Sequence, residues 1–334
     1  MKKILSLITA ISILLLSLLA FVSCAEPDNT QLRVGYMTGP TGIGMAKLIN
    51  DNGGAAEGNE KYYFEKFADT SLASAALLSN KLDAVCLPTN EAAKHFNENE
   101  GELTVLAINC LSSLFLLTDS STDIESFEDL NGKTIYTCKN GTPNLVIKYL
   151  LQEAGVNATV SHEINGKTIV KPADLSPLLI NGEIDIAVVP EPLITAALLN
   201  IASSGSENTY SIDLALGEVW EELTNAPLVM GCIVARTDFV EAHPQVISSF
   251  LDEYRASIEY VSNEKNLDTA AQYTVDAGIM AAVPAAKKAI KNLGASIAYL
   301  DGDDMKTALI AFYNAIGTTA IGGKLPNEEF YYSK

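Results

Sequence analysis

The residues from which covalent or metal chemistry could be assembled are few and badly spaced. His95, His162 and His243 stand far apart, with no second ligand at metal-binding spacing, so no metal is expected. Neither G-x-S-x-G nor H-E-x-x-H occurs, which leaves no nucleophile elbow and no zinc-protease helix. Gly39-Pro40-Thr41-Gly42-Ile43-Gly44-Met45-Ala46-Lys47 approaches a phosphate loop, but Met45-Ala46 stands where that loop needs Lys followed by Ser or Thr. No cofactor is called for.

What remains is non-covalent. The turns holding Thr38, Gly39, Pro40 and Thr41, and Lys139, Asn140, Gly141, Thr142 and Pro143, each place glycine at a helix start. Unpaired backbone N–H groups there suit an anion or a carbonyl oxygen, and Lys139 adds a cation beside one of them. Asp69, next to Thr70 and Ser71, and Glu191 are carboxylates suited to an amine or a nitrogen heterocycle. A zwitterion or polar heterocycle would use both kinds of group. Thr89, with Asn90 beside it, and Asn109 offer neutral polar contacts, and Tyr36 and Tyr136 offer rings that can stack on a flat molecule or fill a core.

These residues fall at the ends of short apolar strands alternating with helical stretches, the pattern of parallel βαβ units. Strands are expected at 32–37, 62–67, 82–87, 103–109 and 114–118, with helices at 42–50 and 72–79. A second segment opens near Ile124 and repeats the plan. It has a strand at 134–138, a helix begun by Thr142-Pro143 and ended by Gly155, a strand at 158–164, a helix at 174–180 and a strand at 184–189. Polar groups at the carboxyl ends of parallel strands converge on one crevice.

The two segments echo each other. Leu77-Leu78-Ser79-Asn80-Lys81-Leu82-Asp83-Ala84-Val85-Cys86-Leu87-Pro88 is mirrored by Leu179-Ile180-Asn181-Gly182-Glu183-Ile184-Asp185-Ile186-Ala187-Val188-Val189-Pro190. Tyr36 with Gly39-Pro40-Thr41 is answered by Tyr136 with Gly141-Thr142-Pro143. The echo implies two like lobes facing one another. After Pro227 come a strand at 228–235 and amphipathic helices, one starting at His243-Pro244 with Val246, Phe250, Leu251, Tyr254 and Ile258 on one stripe. They are expected to pack back on the first lobe, so that the chain crosses between lobes twice and forms a hinge. The division is therefore 32–119 with 228–334 for lobe 1, and 120–227 for lobe 2.

The amino terminus is of another kind. Lys2 and Lys3 precede an apolar run that ends in Phe21-Val22-Ser23-Cys24. This is the grammar of a cleaved export signal over 1–23, with 24–31 as a polar tether. The whole chain has 22 Lys plus Arg against 41 Asp plus Glu, a net charge of −19. Loss of Lys2 and Lys3 leaves 20 against 41, or −21, which disfavours nucleic acid as a partner. Cys86, Cys110, Cys138 and Cys232 sit in or beside apolar strands without a C-x-x-C pair, a pattern that fits buried thiols better than disulfides, zinc or redox work.

These features together resemble one family. The Cys24 segment resembles a bacterial lipobox, with Phe21 in place of the usual Leu or Val. The Arg33-Val34-Gly35-Tyr36 strand, the paired strands ending at Pro88 and Pro190, Phe127-Glu128-Asp129-Leu130-Asn131-Gly132-Lys133 between them, Ala242-His243-Pro244 and Ile321-Gly322-Gly323-Lys324-Leu325-Pro326 complete the likeness. The chain resembles the solute-binding lipoproteins of ABC importers, in the nitrate, sulfonate, taurine and thiamine-pyrimidine-precursor group. The resemblance implies a two-lobed type II periplasmic binding protein-like fold, α/β throughout, with a two-stranded hinge. It implies a monomer lipidated (palmitate) at Cys24, outside the cytoplasm, which hands a small polar molecule to permease and ATPase subunits. The matching ligand positions are the turn at Thr38 to Thr41, Asp69-Thr70, Thr89, the turn at Asn140 to Pro143, and Glu191. The cysteine- and histidine-bearing segment of the related pyrimidine-synthesising enzymes has no counterpart here. The alternatives are an enzyme on the same fold, such as the menaquinone-pathway proteins that resemble it, and a surface sensor.

Overall fold

A computed structural model describes residues 28–54, 59–99, 101–205 and 207–333, so Cys24 and the export signal lie outside the described residues. The strands, in chain order, are β1 (Leu32–Met37), β2 (Tyr62–Phe67), β3 (Ala84–Pro88), β4 (Leu103–Cys110), β5 (Leu114–Asp119), β6 (Thr134–Tyr136), β7 (Thr159–Ser161), β8 (Glu163–Ile164), β9 (Lys167–Thr168), β10 (Ile186–Pro190), β11 (Tyr210–Ala215) and β12 (Gly231–Arg236). β3, β4, β10 and β12 are predominantly apolar and buried along nearly their whole length, as strands covered by helices on both sides must be.

Two five-stranded sheets result, in the orders β2-β1-β3-β12-β4 and β11-β5-β10-β6-β7. Read from the other edge, the second is β7-β6-β10-β5-β11, which matches the first strand for strand. In each sheet one strand runs against its neighbours, β12 against β3 and β4, and β5 against β10 and β11. Each of these is the first strand the chain makes after crossing over. β5, expected in the first lobe, thus belongs to the second sheet, and the outward crossing lies at 111–113 rather than after 119. At the edge of the first sheet this strand would leave one side of its backbone unpaired, whereas Leu114–Asp119 finds partners on both sides in β10 and β11.

Other differences are local. The helix expected at 42–50 is two pieces, Pro40–Ile43 and Ala46–Asp51. Between them Gly44 lies so close to the helix Pro244–Ser262 that a Cβ would stand 2.6 Å from Ile258 Cγ1. The strand expected at 158–164 divides at His162 into β7 and the β8–β9 hairpin. β11 and the helix Leu216–Thr224 had no expectation. All four described cysteines are free and buried.

The carboxy-terminal helices pack on the first lobe and also reach the second. Val283–Leu293 lies against Leu193–Ser204, and Gly302–Ile316 against Thr142–Glu153. Phe312 meets Trp220 with ring centroids 5.6 Å apart, and Trp220 meets Tyr149 at 4.8 Å. The main apolar core therefore runs from the first sheet through Phe312 and Trp220 to Val146 and Ile147, and a smaller core under the second sheet gathers Leu117, Leu179 and Ile194.

Candidate functional site

The carboxyl ends of β1, β3 and β4 and those of β6 and β10 carry the loops that meet between the sheets. In the first lobe Gly39 caps the short helix Pro40–Ile43 at φ 143°, ψ −168°. In the second Gly141 caps Thr142–Glu153 at φ 92°, ψ 178°. This region of backbone space is open essentially to glycine alone, so both halves of the echo need glycine at the same point for the same reason. Further along, Asn80 (φ 61°) and Gly182 (φ 66°) take the left-handed turn before β3 and β10.

The polar residues of this crevice are buried. Thr41, Thr89, Asn90, Asn109 and Ser113 on the first side and Thr137, Thr142 and Glu191 on the second are each at most 9 % exposed. Among the described residues, two side-chain contacts join the sides. Thr142 Oγ1 donates to Asn90 Oδ1 at 3.1 Å. Asn292 Nδ2, from the helix Val283–Leu293, donates to Glu191 Oε1 at 2.6 Å and approaches Thr195 Oγ1 at 3.3 Å. Asn292 also lines a cavity of about 370 Å³ beside the crossings, with Ser112, Gly217 and Leu228.

Glu191 is fully buried. Thr195 donates to it through Oγ1 at 2.8 Å and through its backbone N–H at 3.3 Å. Burial raises its pKa above its ordinary value, against the pull of the Asn292 and Thr195 donors and of the Lys288 charge. Asn109 Nδ2 donates to Thr41 O at 3.2 Å and to Cys86 Sγ at 3.3 Å. Thr89 is held inside the first lobe. Its hydroxyl donates to Val229 O at 2.9 Å, and its carbonyl accepts from Tyr313 at 2.9 Å.

Several expected site residues are engaged elsewhere. Tyr36 is wholly buried and its hydroxyl donates to Ala277 O at 2.7 Å, which makes it a core tyrosine. Asp69 caps the helix Thr70–Leu78, accepting from Ser71 N–H at 2.9 Å and Leu72 N–H at 3.1 Å. Lys139, Asn140 and Gly141 are exposed on the rim, while Thr38 and Pro40 are half-buried. His243 begins the helix Pro244–Ser262 and pairs with Asp28 at 2.8 Å. Asn292, Thr195 and Thr137 were not anticipated. Thr195 was within reach of the sequence, one helical turn after Glu191, whereas Asn292 belongs to a distant helix with no motif to mark it.

Among the described residues, no helix is long and apolar enough to cross a membrane, and no cluster of metal-ligating side chains is present. None of the curated proteins matches the chain by sequence. Among solved structures, an ABC transporter from Parabacteroides distasonis superposes with a TM-score of 0.73 at 21 % identity, over 91 % of this chain and 99 % of that one. The periplasmic aliphatic sulphonate binding protein of Escherichia coli follows at 0.64 and 14 %, over 92 % and 93 %. The periplasmic nitrate-binding protein of Synechocystis PCC 6803 gives 0.57 and 15 %, over 84 % and 75 %. The expected two-lobed fold is thus the fold these proteins share. The family described as "Menaquinone biosynthesis" matches residues 74–316, well over half the sequence, and the chain belongs to that family.

Proposed function

We propose that the chain is an extracytoplasmic solute-binding lipoprotein, which captures a small polar molecule between two lobes and delivers it to an ABC importer permease and its ATPase. The observation that carries this reading is the buried polar lining at facing strand ends, bridged by Asn90 with Thr142 and by Asn292 with Glu191. Such a crevice brings hydrogen-bonding groups from both sides to one place, an arrangement suited to closure around a ligand. In this proposal lobe 1 comprises 32–113 with 228–334, lobe 2 comprises 114–227, and a lipid on Cys24 holds a monomer beside its permease. The ligand-binding set is Thr38, Gly39, Thr41, Thr89, Asn109, Asn140, Gly141, Thr142 and Glu191, with Lys139 at the rim.

Mass spectrometry of small molecules released from purified mature protein is the primary test. A stoichiometric solute that rebinds with calorimetric heat supports capture, and protein that neither carries nor binds any solute overturns it. Cys24→Ala is expected to release the protein from the membrane fraction with solute affinity unchanged. Affinity lost together with anchoring would show that tether and trap are not separate.

The family description favours a second reading, an enzyme on this fold. Turnover of a futalosine-type substrate by the mature protein, lost on substitution of Glu191 or Asn109, would establish it.

A further inference from the structure

At the carboxyl end of β4 the ladder to β12 slips. Gly231 faces Cys110 while Cys232 faces Ile108, so Asn109 is the extra residue of a bulge. Bulges re-aim a side chain, and they cluster beside functional sites. The orientation of the Asn109 amide is fixed chemically. Thr41 O can only accept, so the atom facing it at 3.2 Å is Nδ2, and the same nitrogen serves Cys86 Sγ at 3.3 Å. Tyr254 lies on this nitrogen side, its hydroxyl 3.6 Å from Cys86 Sγ.

Oδ1 must then point the other way. Asn109 is 1 % exposed, and among the described residues its Oδ1 has no hydrogen-bond partner. The neighbour on that side is Gly231, where a Cβ would stand 2.6 Å from Oδ1 and 2.4 Å from Thr41 Cγ2. Only glycine fits there, because Thr41 and Asn109 already fill the place of a Cβ, and among the described residues no donor reaches the orphaned acceptor. Leaving such an acceptor unmet costs about 1–3 kcal/mol, so a donor from outside the chain is strongly favoured there.

We propose that Asn109 Oδ1 accepts a hydrogen bond from an N–H or O–H group of the captured molecule, so that the cleft selects ligands bearing such a donor over bare oxyanions. This rests on the solute-capture reading and names the chemistry its ligand must carry. Cys86 and Thr41 act as positioning residues that hold the amide in register.

The test is calorimetry of the mature chain with matched probes, taurine against ethanesulfonate and an aminopyrimidine against the corresponding methylpyrimidine. Binding confined to donor-bearing members, by about tenfold or more in affinity, is expected. Donor-free members binding as tightly would leave capture standing and overturn this assignment. No binding by any member overturns this assignment and leaves capture to be judged by the co-purified solute. Gly231→Ala is expected to abolish binding, and because that variant could also fold badly, a crystal structure of the loaded wild-type protein gives an independent answer. A ligand nitrogen or oxygen at hydrogen-bond distance from Asn109 Oδ1 upholds the assignment; a water or no atom at that position in the loaded protein overturns it.

Discussion

The carboxylate of Glu191 is fully buried and met by neutral donors, and burial holds its proton on more firmly than in the unfolded chain. Between its ordinary value of 4.5 and the raised folded value, the native state binds more protons than the unfolded state, so stability is greatest below this window and falls as pH rises through it. Glu191→Gln keeps an oxygen for Asn292 and Thr195 Oγ1 and removes the charge. We expect this variant to show a flatter melting temperature against pH between weakly acidic and neutral conditions, with a difference from wild type of a few degrees. An unchanged slope would remove Glu191 as its source. At Thr142 the expectation concerns closure. Thr142→Val leaves Asn90 Oδ1 buried without its 3.1 Å donor, at about 1–2 kcal/mol against the closed state, so solute affinity should fall by up to about tenfold and the melting temperature of the ligand-free protein, which already makes this contact, by a few degrees. Equal affinity in the two proteins would mean that this contact does not govern closure. Glu191 was visible in the sequence as a carboxylate at a strand end, and Asp69 looked the same. Only the fold separates them, because Asp69 has its own helix N–H groups within reach and Glu191 faces a helix more than ninety residues onward.

At the scale of elements the internal echo was the most readable feature, and it survives because backbone geometry enforces it. Gly39 and Gly141 cap equivalent helices in a region that other residues enter only at about 1–3 kcal/mol. Around Gly39 a Cβ would meet nothing within 4 Å, so Gly39→Ala isolates backbone strain from packing. It is expected to lower the denaturation free energy by about 1–3 kcal/mol, and a loss below about 0.5 kcal/mol in urea melts would show that the turn relaxes to another conformation. What escaped the sequence escaped for reasons of the same kind. The break at Gly44 is set by Ile258, over two hundred residues away, so no local pattern announces it. β11 is only half-buried along most of its length, an edge strand without the continuous apolar signature that marked β10. β5 read correctly as a strand, but its apolar run carries no sign of which sheet will accept it.

The whole molecule is less freely hinged than two crossings alone would make it. The helix Gly302–Ile316 packs beside β4 in the first sheet and also presents Phe312 to Trp220, which in turn touches Tyr149. Each residue comes from a different stretch and each reads in isolation as an ordinary core position, so the sequence placed the tail on the first lobe alone. Opening the crevice would have to part these rings or carry the last helix along, because Trp220 is 1 % exposed and Phe312 is wholly buried. The aromatic cluster thus opposes opening by the cost of returning apolar surface to water, independently of any solute. Trp220 is the sole tryptophan in the chain, so its emission reports this one place. In wild-type protein the emission is expected to stay at a buried, blue position with or without solute. Phe312→Ala removes the ring that holds the last helix against Trp220, and ligand-free variant should shift to the red well below its melting temperature and return to the blue when the co-purified solute is added. If the variant instead keeps its blue emission up to a single cooperative unfolding transition, the three rings belong to a core that never opens, and closure must be confined to the loops at the strand ends.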